Sequence, residues 1–230
     1  MTTAPLRICF FGDSMVNGTG DDACLGWVGR ACAAARHGGR DVTCYNLGIR
    51  RDTSEDVLIR WESEAKGRLP PEYNGRLVFS FGANDACPGA DGEVRVTPDR
   101  ALANAEAILV AAIAWRPTLM VGPFPIGDLI VDARIAELSA RFSAICARLG
   151  IPFFPVIDIA SSSEAWACEV AAGDGAHPNE QGYALIAEAL HALGRVAGVD
   201  RWLGLQRRPE DQQAEPVAEM RFQGAGEARD

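Results

Sequence analysis

The stretch Arg7-Ile8-Cys9-Phe10-Phe11-Gly12-Asp13-Ser14 decides the fold. Its first five residues form a short, nearly continuous apolar run that breaks at a glycine-bearing turn, the pattern of a strand buried on both faces. Similar runs recur at Val42–Tyr45, Leu77–Phe81, Leu119–Gly122 and Pro152–Val156. Longer segments with helical spacing separate them. After the third run, Thr97 and Pro98 open a helix that places Leu102, Ala105, Leu109 and Ala112 or Ile113 on one face before Pro117 stops it. Ile135, Leu138, Phe142, Ile145 and Leu149 form the stripe of the next helix, which ends at Gly150. A last helix begins near Asn179, carries Ile186, Leu190, Leu193 and Ala197, and ends at Gly198. Strands alternating with helices predict a doubly wound α/β domain around a five-stranded parallel sheet, spanning residues 1–204. Residues 205–230 are rich in Gln, Glu, Arg, Gly and Pro, and are expected to form a mobile tail.

Composition narrows the function. The chain has 230 residues, 48% of them hydrophobic, and a net charge of −9. Such a charge offers no footprint for nucleic acid. Lys66 is the single lysine, which argues against Schiff-base chemistry and a Walker-type phosphate site. The longest apolar stretch, Ile108 to Trp115, is too short to span a bilayer, so no stable membrane insertion is expected. With no signal-like leader, the expected location is cytoplasmic. The 7 cysteines are scattered and form no CxxC pair, and 3 histidines leave little for a metal site; no metal and no cofactor are expected. The sequence leaves the oligomeric state open.

In an open parallel sheet, ligands bind beyond the carboxyl ends of the strands. Strand one runs into Gly12-Asp13-Ser14, strand two into Asn46-Leu47-Gly48, and strand three into Gly82-Ala83-Asn84-Asp85; Asp174-Gly175-Ala176-His177 precedes the last helix. These positions hold the parts of an acyl-transfer site. The Ser14 hydroxyl needs a base to attack at neutral pH, and His177 is the candidate. Asp174 is close enough in sequence to orient the imidazole. Asn84 and the backbone N–H groups of Gly48 and Ser14 offer an oxyanion hole. Each residue also has a plainer use: Ser14 as a helix cap, His177 as a loop residue before Pro178. His37 and His191 read as helix residues, and Asp13 and Asp85 as braces for the two turns. No Ser sits in a GxSxG elbow, and the Gly12, Gly18, Gly20 block fits no phosphate loop.

Taken in order, Gly12-Asp13-Ser14, Gly48 in its Asn-x-Gly context, Gly82-x-Asn84-Asp85 and Asp174-x-x-His177 resemble the four blocks of the SGNH (GDSL-type) hydrolase family over roughly residues 7–198. The resemblance implies a flavodoxin-like three-layer α/β/α fold and metal-independent hydrolysis of small-molecule esters or thioesters. It implies Ser14, Asp174 and His177 as catalytic residues and Ser14, Gly48 and Asn84 as the oxyanion hole. Two readings stand beside an esterase: a carbohydrate O-acetyl esterase, and a non-catalytic small-ligand-binding module of the same fold. The chain departs from many relatives at Arg51, where they carry a second glycine. An arginine beside the oxyanion hole has the chemistry to bind a carboxylate or phosphate on the substrate. Phe124, in the Gly122-Pro123-Phe124-Pro125-Ile126 segment after strand four, is a candidate wall of the acyl pocket or a rigid apolar anchor.

Overall fold

In a computed structural model, the backbone is described for residues 5–197 and side chains through residue 192. Five strands, β1 (Leu6–Gly12), β2 (Val42–Gly48), β3 (Asn74–Ser80), β4 (Thr118–Val121) and β5 (Phe153–Phe154), form one sheet in the order β2-β1-β3-β4-β5. All four pairings are parallel. The chain moves from β1 to one side for β2, then crosses to the other for β3. Such a reversal opens a crevice between β1 and β3 at their carboxyl ends, where Gly12 lies opposite Ser80.

The two-residue period of the strands divides the core into two layers. Cys9, Phe11, Leu77, Phe79 and Met120 point to one face. There they meet α3 (Ser54–Lys66), α5 (Pro98–Trp115) and α6 (Leu129–Leu149) through Trp61, Ile108, Ile135 and Phe142. Ile8, Phe10, Val78, Leu119 and Val121 point to the other. They are covered by α2 (Gly26–His37), α7 (Val156–Ser161), α8 (Glu164–Ala172) and α9 (Glu180–Ala197) through Trp27, Val156, Trp166 and Tyr183. Two short helices, α1 (Ser14–Asn17) and α4 (Ala83–Ala86), sit directly on the ends of β1 and β3.

The predicted doubly wound sheet and the two long middle helices are present, with differences at the ends. β2 continues three residues past Tyr45, and β3 stops at Ser80, so Phe81 already belongs to the turn. β5 is reduced to two residues at an edge, where Pro152 and Pro155 bracket it and lack N–H groups for the ladder. α7 and α8 occupy a segment that the sequence pattern left without helices. Each buries only two or three side chains, too few to make a readable stripe. His37 ends α2 with Gly38 as its C-cap, as expected. The expected stop at Gly198, the boundary after residue 204 and the tail at 205–230 lie outside the described residues.

Candidate active site

The end of β1 must turn sharply beside β3, and Gly12 makes this possible. A Cβ there would lie 1.8 Å from the Ser80 carbonyl oxygen and 2.6 Å from a Val16 methyl. Asp13 then caps α1 by accepting from the Met15 N–H at 2.9 Å, which sets Ser14 as the first helical residue. The Asp13 side chain is buried. Burial, reinforced by the nearby Asp85 and Asp52 charges, pushes its carboxyl from the ordinary 3.8 up to about 7 against the Met15 hydrogen bond.

His177 reaches this turn from the loop between α8 and α9. Its Nε2 lies 2.7 Å from Ser14 Oγ, and its Nδ1 lies 2.7 Å from Asp174 Oδ2. The other carboxylate oxygen accepts from the Ala176 and His177 N–H groups at 3.0 and 2.9 Å, so the loop folds around Asp174. Burial raises the Asp174 carboxyl, but these N–H groups and the ring outweigh it and hold it at about 2. An ionised carboxylate only accepts, so the network assigns the proton to Nδ1 and leaves Nε2 to accept from the Ser14 hydroxyl. The loop itself is anchored by Glu169 of α8, which accepts from Asn179, Gln181 and Gly182 N–H at 2.8–2.9 Å. Those donors lie at the start of α9, which otherwise has unpaired N–H groups.

Asn84 stands on α4, two residues past Gly82, whose φ of 117° is in the left-handed region. Its Nδ2 donates to the Asp52 carbonyl at 3.0 Å, which orients the amide and leaves its second hydrogen for another acceptor. Asp85, next in sequence, accepts from the N–H of Ser54 at 2.9 Å and from its hydroxyl, tying α4 to the start of α3. Arg60 of α3 donates to Asp52 Oδ2 at 2.7 Å and to the Gly12 carbonyl at 3.1 Å. One guanidinium thus links the Gly12–Ser14 turn to the β2–α3 loop.

Two expected residues sit differently. The Gly48 N–H donates to Asn46 Oδ1 at 3.1 Å, and a Cβ on Gly48 would lie 2.3 Å from Asn17 N. Gly48 therefore lets α1 approach β2, and it does not line the cleft around Ser14. Phe124 does not line it either. It is fully buried and stacked on Trp166 with ring centroids 5.7 Å apart, the apolar anchor of its loop, while Ile126 two residues on reaches the cleft.

The cleft encloses about 130 Å³ and is lined by Ser14, Asn84, His177, Ile126, Arg50 and Arg51 among others. Arg51 has φ 75°, a left-handed conformation that favours glycine. Asp52, Arg60 and Glu169 escaped sequence reasoning. Their partners are remote in sequence or are backbone groups, neither of which leaves a local pattern.

With this geometry in view, a model of the GDSL-like lipase/acylhydrolase family matches residues 10–185. The chain belongs to this family. Among solved structures, this GDSL-family chain is similar to a lipase/acylhydrolase from Enterococcus faecalis, at 24% identity over 83% of this chain and 96% of that one, with a TM-score of 0.66. It is also similar to an acetylxylan esterase from Geobacillus stearothermophilus, at 18% identity over 91% and 100% of the two chains, with a TM-score of 0.67. A member of the G-D-S-L lipolytic family from Veillonella parvula gives 21% identity, 81% and 97% coverage and a TM-score of 0.66. At these identities the likeness shows the GDSL fold. A comparison with curated protein sequences found no significant match. Among the described residues, no helix is long and apolar enough to cross a membrane.

Proposed function

We propose that this GDSL-family hydrolase cleaves small carboxylic esters or thioesters through a serine acyl-enzyme. The observation that carries the reading is the unbroken chain Asp174–His177–Ser14, with both contacts at 2.7 Å. Ser14 Oγ attacks the carbonyl carbon while His177 Nε2 takes its proton. Asp174 stabilises the imidazolium through Nδ1, and the same proton passes to the leaving alkoxide or thiolate as the carbonyl re-forms. Water, deprotonated by His177, then attacks the acyl-serine, and collapse of the second tetrahedral intermediate frees the acid and returns the proton to Ser14.

The oxyanion needs donors fixed before the charge appears. Ser14 N–H and the free hydrogen of Asn84 Nδ2 supply two. The third place falls to the N–H of Arg51 rather than to that of Gly48, which Asn46 engages. Arg51 lines the cleft, and the carbonyl of its neighbour Asp52 holds the Asn84 amide. A cavity of about 130 Å³ is close to the roughly 150 Å³ that holds a benzene ring, so it suits a short acyl group. That size also favours a second reading, removal of acetyl groups from saccharides, the substrate class named for the acetylxylan esterase it resembles.

A fluorophosphonate probe should label the wild-type chain and leave Ser14→Ala unlabelled with unchanged thermal unfolding. Short p-nitrophenyl esters and acetylated saccharides, assayed side by side with Ser14→Ala as control, then divide the two readings. Failure of the wild-type protein to label would leave a ligand-binding module in place of a hydrolase.

A further inference from the structure

A protein with a net charge of −9 gathers three arginines near the cleft that holds the hydrogen-bonded Ser14–His177 pair. Arg50 and Arg51 line the cleft, and both are exposed. Arg95 stands behind them, its Nη2 donating to the Arg51 carbonyl at 2.9 Å. The acidic groups of the neighbourhood are already occupied. Asp52 pairs with Arg60, Asp174 with His177, Asp85 with Ser54, and Asp56 with the Thr53 N–H and hydroxyl. Asp13 is buried and accepts from Met15. Neither Arg50 nor Arg51 makes an ion pair among the described residues, whereas Arg30, Arg60, Arg100, Arg141 and Arg148 all do. Arg51 moreover holds a positive φ, a conformation that costs an arginine about 1–3 kcal/mol and a glycine far less. The position thus carries a strained cation at the mouth of the cleft with no counter-ion among the described residues.

Resting on the hydrolase reading for its chemistry, we infer that the cleft takes esters bearing a carboxylate or phosphate a few bonds from the scissile carbonyl, with Arg50 and Arg51 receiving the anion. Guanidinium groups bind both oxyanions in a two-pronged fashion. Arg95 holds the Arg51 backbone and adds a third positive charge to the local field. An anion seated there lies beside the nucleophile without entering the small acyl cavity.

The test compares matched esters by kcat/KM. For an anion on the acyl side, the pair is the p-nitrophenyl hemisuccinate against p-nitrophenyl butyrate. For a phosphate on the alcohol side, it is acetylated glycerol phosphate against acetylated glycerol. The wild-type protein should prefer the charged member of at least one pair, and rising salt should weaken the preference. Combining Arg50→Gln with Arg51→Gly, a change that suits the local backbone, should lower that charged-to-neutral ratio at least about tenfold. Arg51→Lys should retain part of it. Because each ratio is taken within one variant, a general loss of rate cancels. No preference in the wild-type protein, or a preference that survives in the double variant, overturns the inference. The Ser14→Ala protein reads the same site without turnover: calorimetry should show tighter binding of the charged ester, lost in the triple variant. Fluorophosphonate labelling without a charge preference removes the anion site alone; absent labelling with retained anion binding removes the hydrolase reading alone.

Discussion

Asp13 and Asp174 flank the Ser14–His177 pair, and their surroundings drive them in opposite directions. Asp174 is held at about 2 by N–H groups of its own loop and by the imidazole, so it stays charged through neutral and mildly acidic pH. Its contribution to stability is present above the ordinary carboxyl range and is lost as pH falls through about 2. Asp13, buried and pushed up to about 7, works the other way. Its contribution is full below about pH 4 and disappears as pH rises through about 7, because the folded state then holds a buried charge. Asp13→Asn keeps the carbonyl that accepts from Met15 N–H and removes the titration. Thermal melts between about pH 5 and about pH 8 should therefore show the variant gaining on the wild type as pH rises; parallel curves would refute the shift. Asn84→Ala removes one of the proposed oxyanion donors and should lower kcat by about 10²–10³ with little change in fold, measured on a short aryl ester. Both residues were legible as site positions in the sequence. What Asp13 does electrostatically was not, since it depends on Asp52 and Asp85, which only folding brings near.

At the scale of elements, the site depends on where helices begin. Asp13 caps α1, Thr53 and Asp56 form a capping box on α3, and Asp128 caps α6. Each is a local signal, readable because cap and helix are adjacent in sequence. The start of α9 is different. Its N–H groups are satisfied by Glu169, which lies ten or more residues earlier on α8, and this arrangement holds the His177 loop against Ser14. Glu169→Ala should cost about 1–2 kcal/mol in chemical unfolding, the range for a lost cap and its charge at a helix N-terminus. It should also lower kcat more than it raises KM, because it loosens the proposed base, His177, rather than the substrate pocket. Equal loss of both would point to a collapsed cleft instead. The short β5 and the weak stripes of α7 and α8 mark where periodicity fails as a guide. Two-residue pairing at an edge and helices burying two or three side chains fall below the window over which a period can be recognised.

For the whole molecule, the sheet separates two apolar layers, and Phe79 is a central plug of one. It is fully buried, stacked on Phe11 at 5.5 Å and edge-on to Trp61 at 5.5 Å. Phe79→Ala should destabilise the protein by about 3–5 kcal/mol, measured as a lower denaturation midpoint with an unchanged slope. Phe11 leads directly to Gly12 and Ser14, so this packing also fixes the height of that turn above the sheet. The apolar runs and the residues that end them were enough to specify a parallel α/β sheet and its crevice edge; with the loop before the last helix they also offered Ser14, Asn84, Asp174 and His177 as candidates. Strand burial and turn chemistry are local properties, and they are written at fixed spacing along the chain. The tertiary structure alone decided that Gly48 admits the close approach of α1, that Phe124 is core, that Arg60 and Glu169 brace the cleft, and that Arg50 and Arg51 face it without counter-ions among the described residues. Those outcomes follow from which remote groups meet in space and which charges are already paired, and no local spacing encodes them.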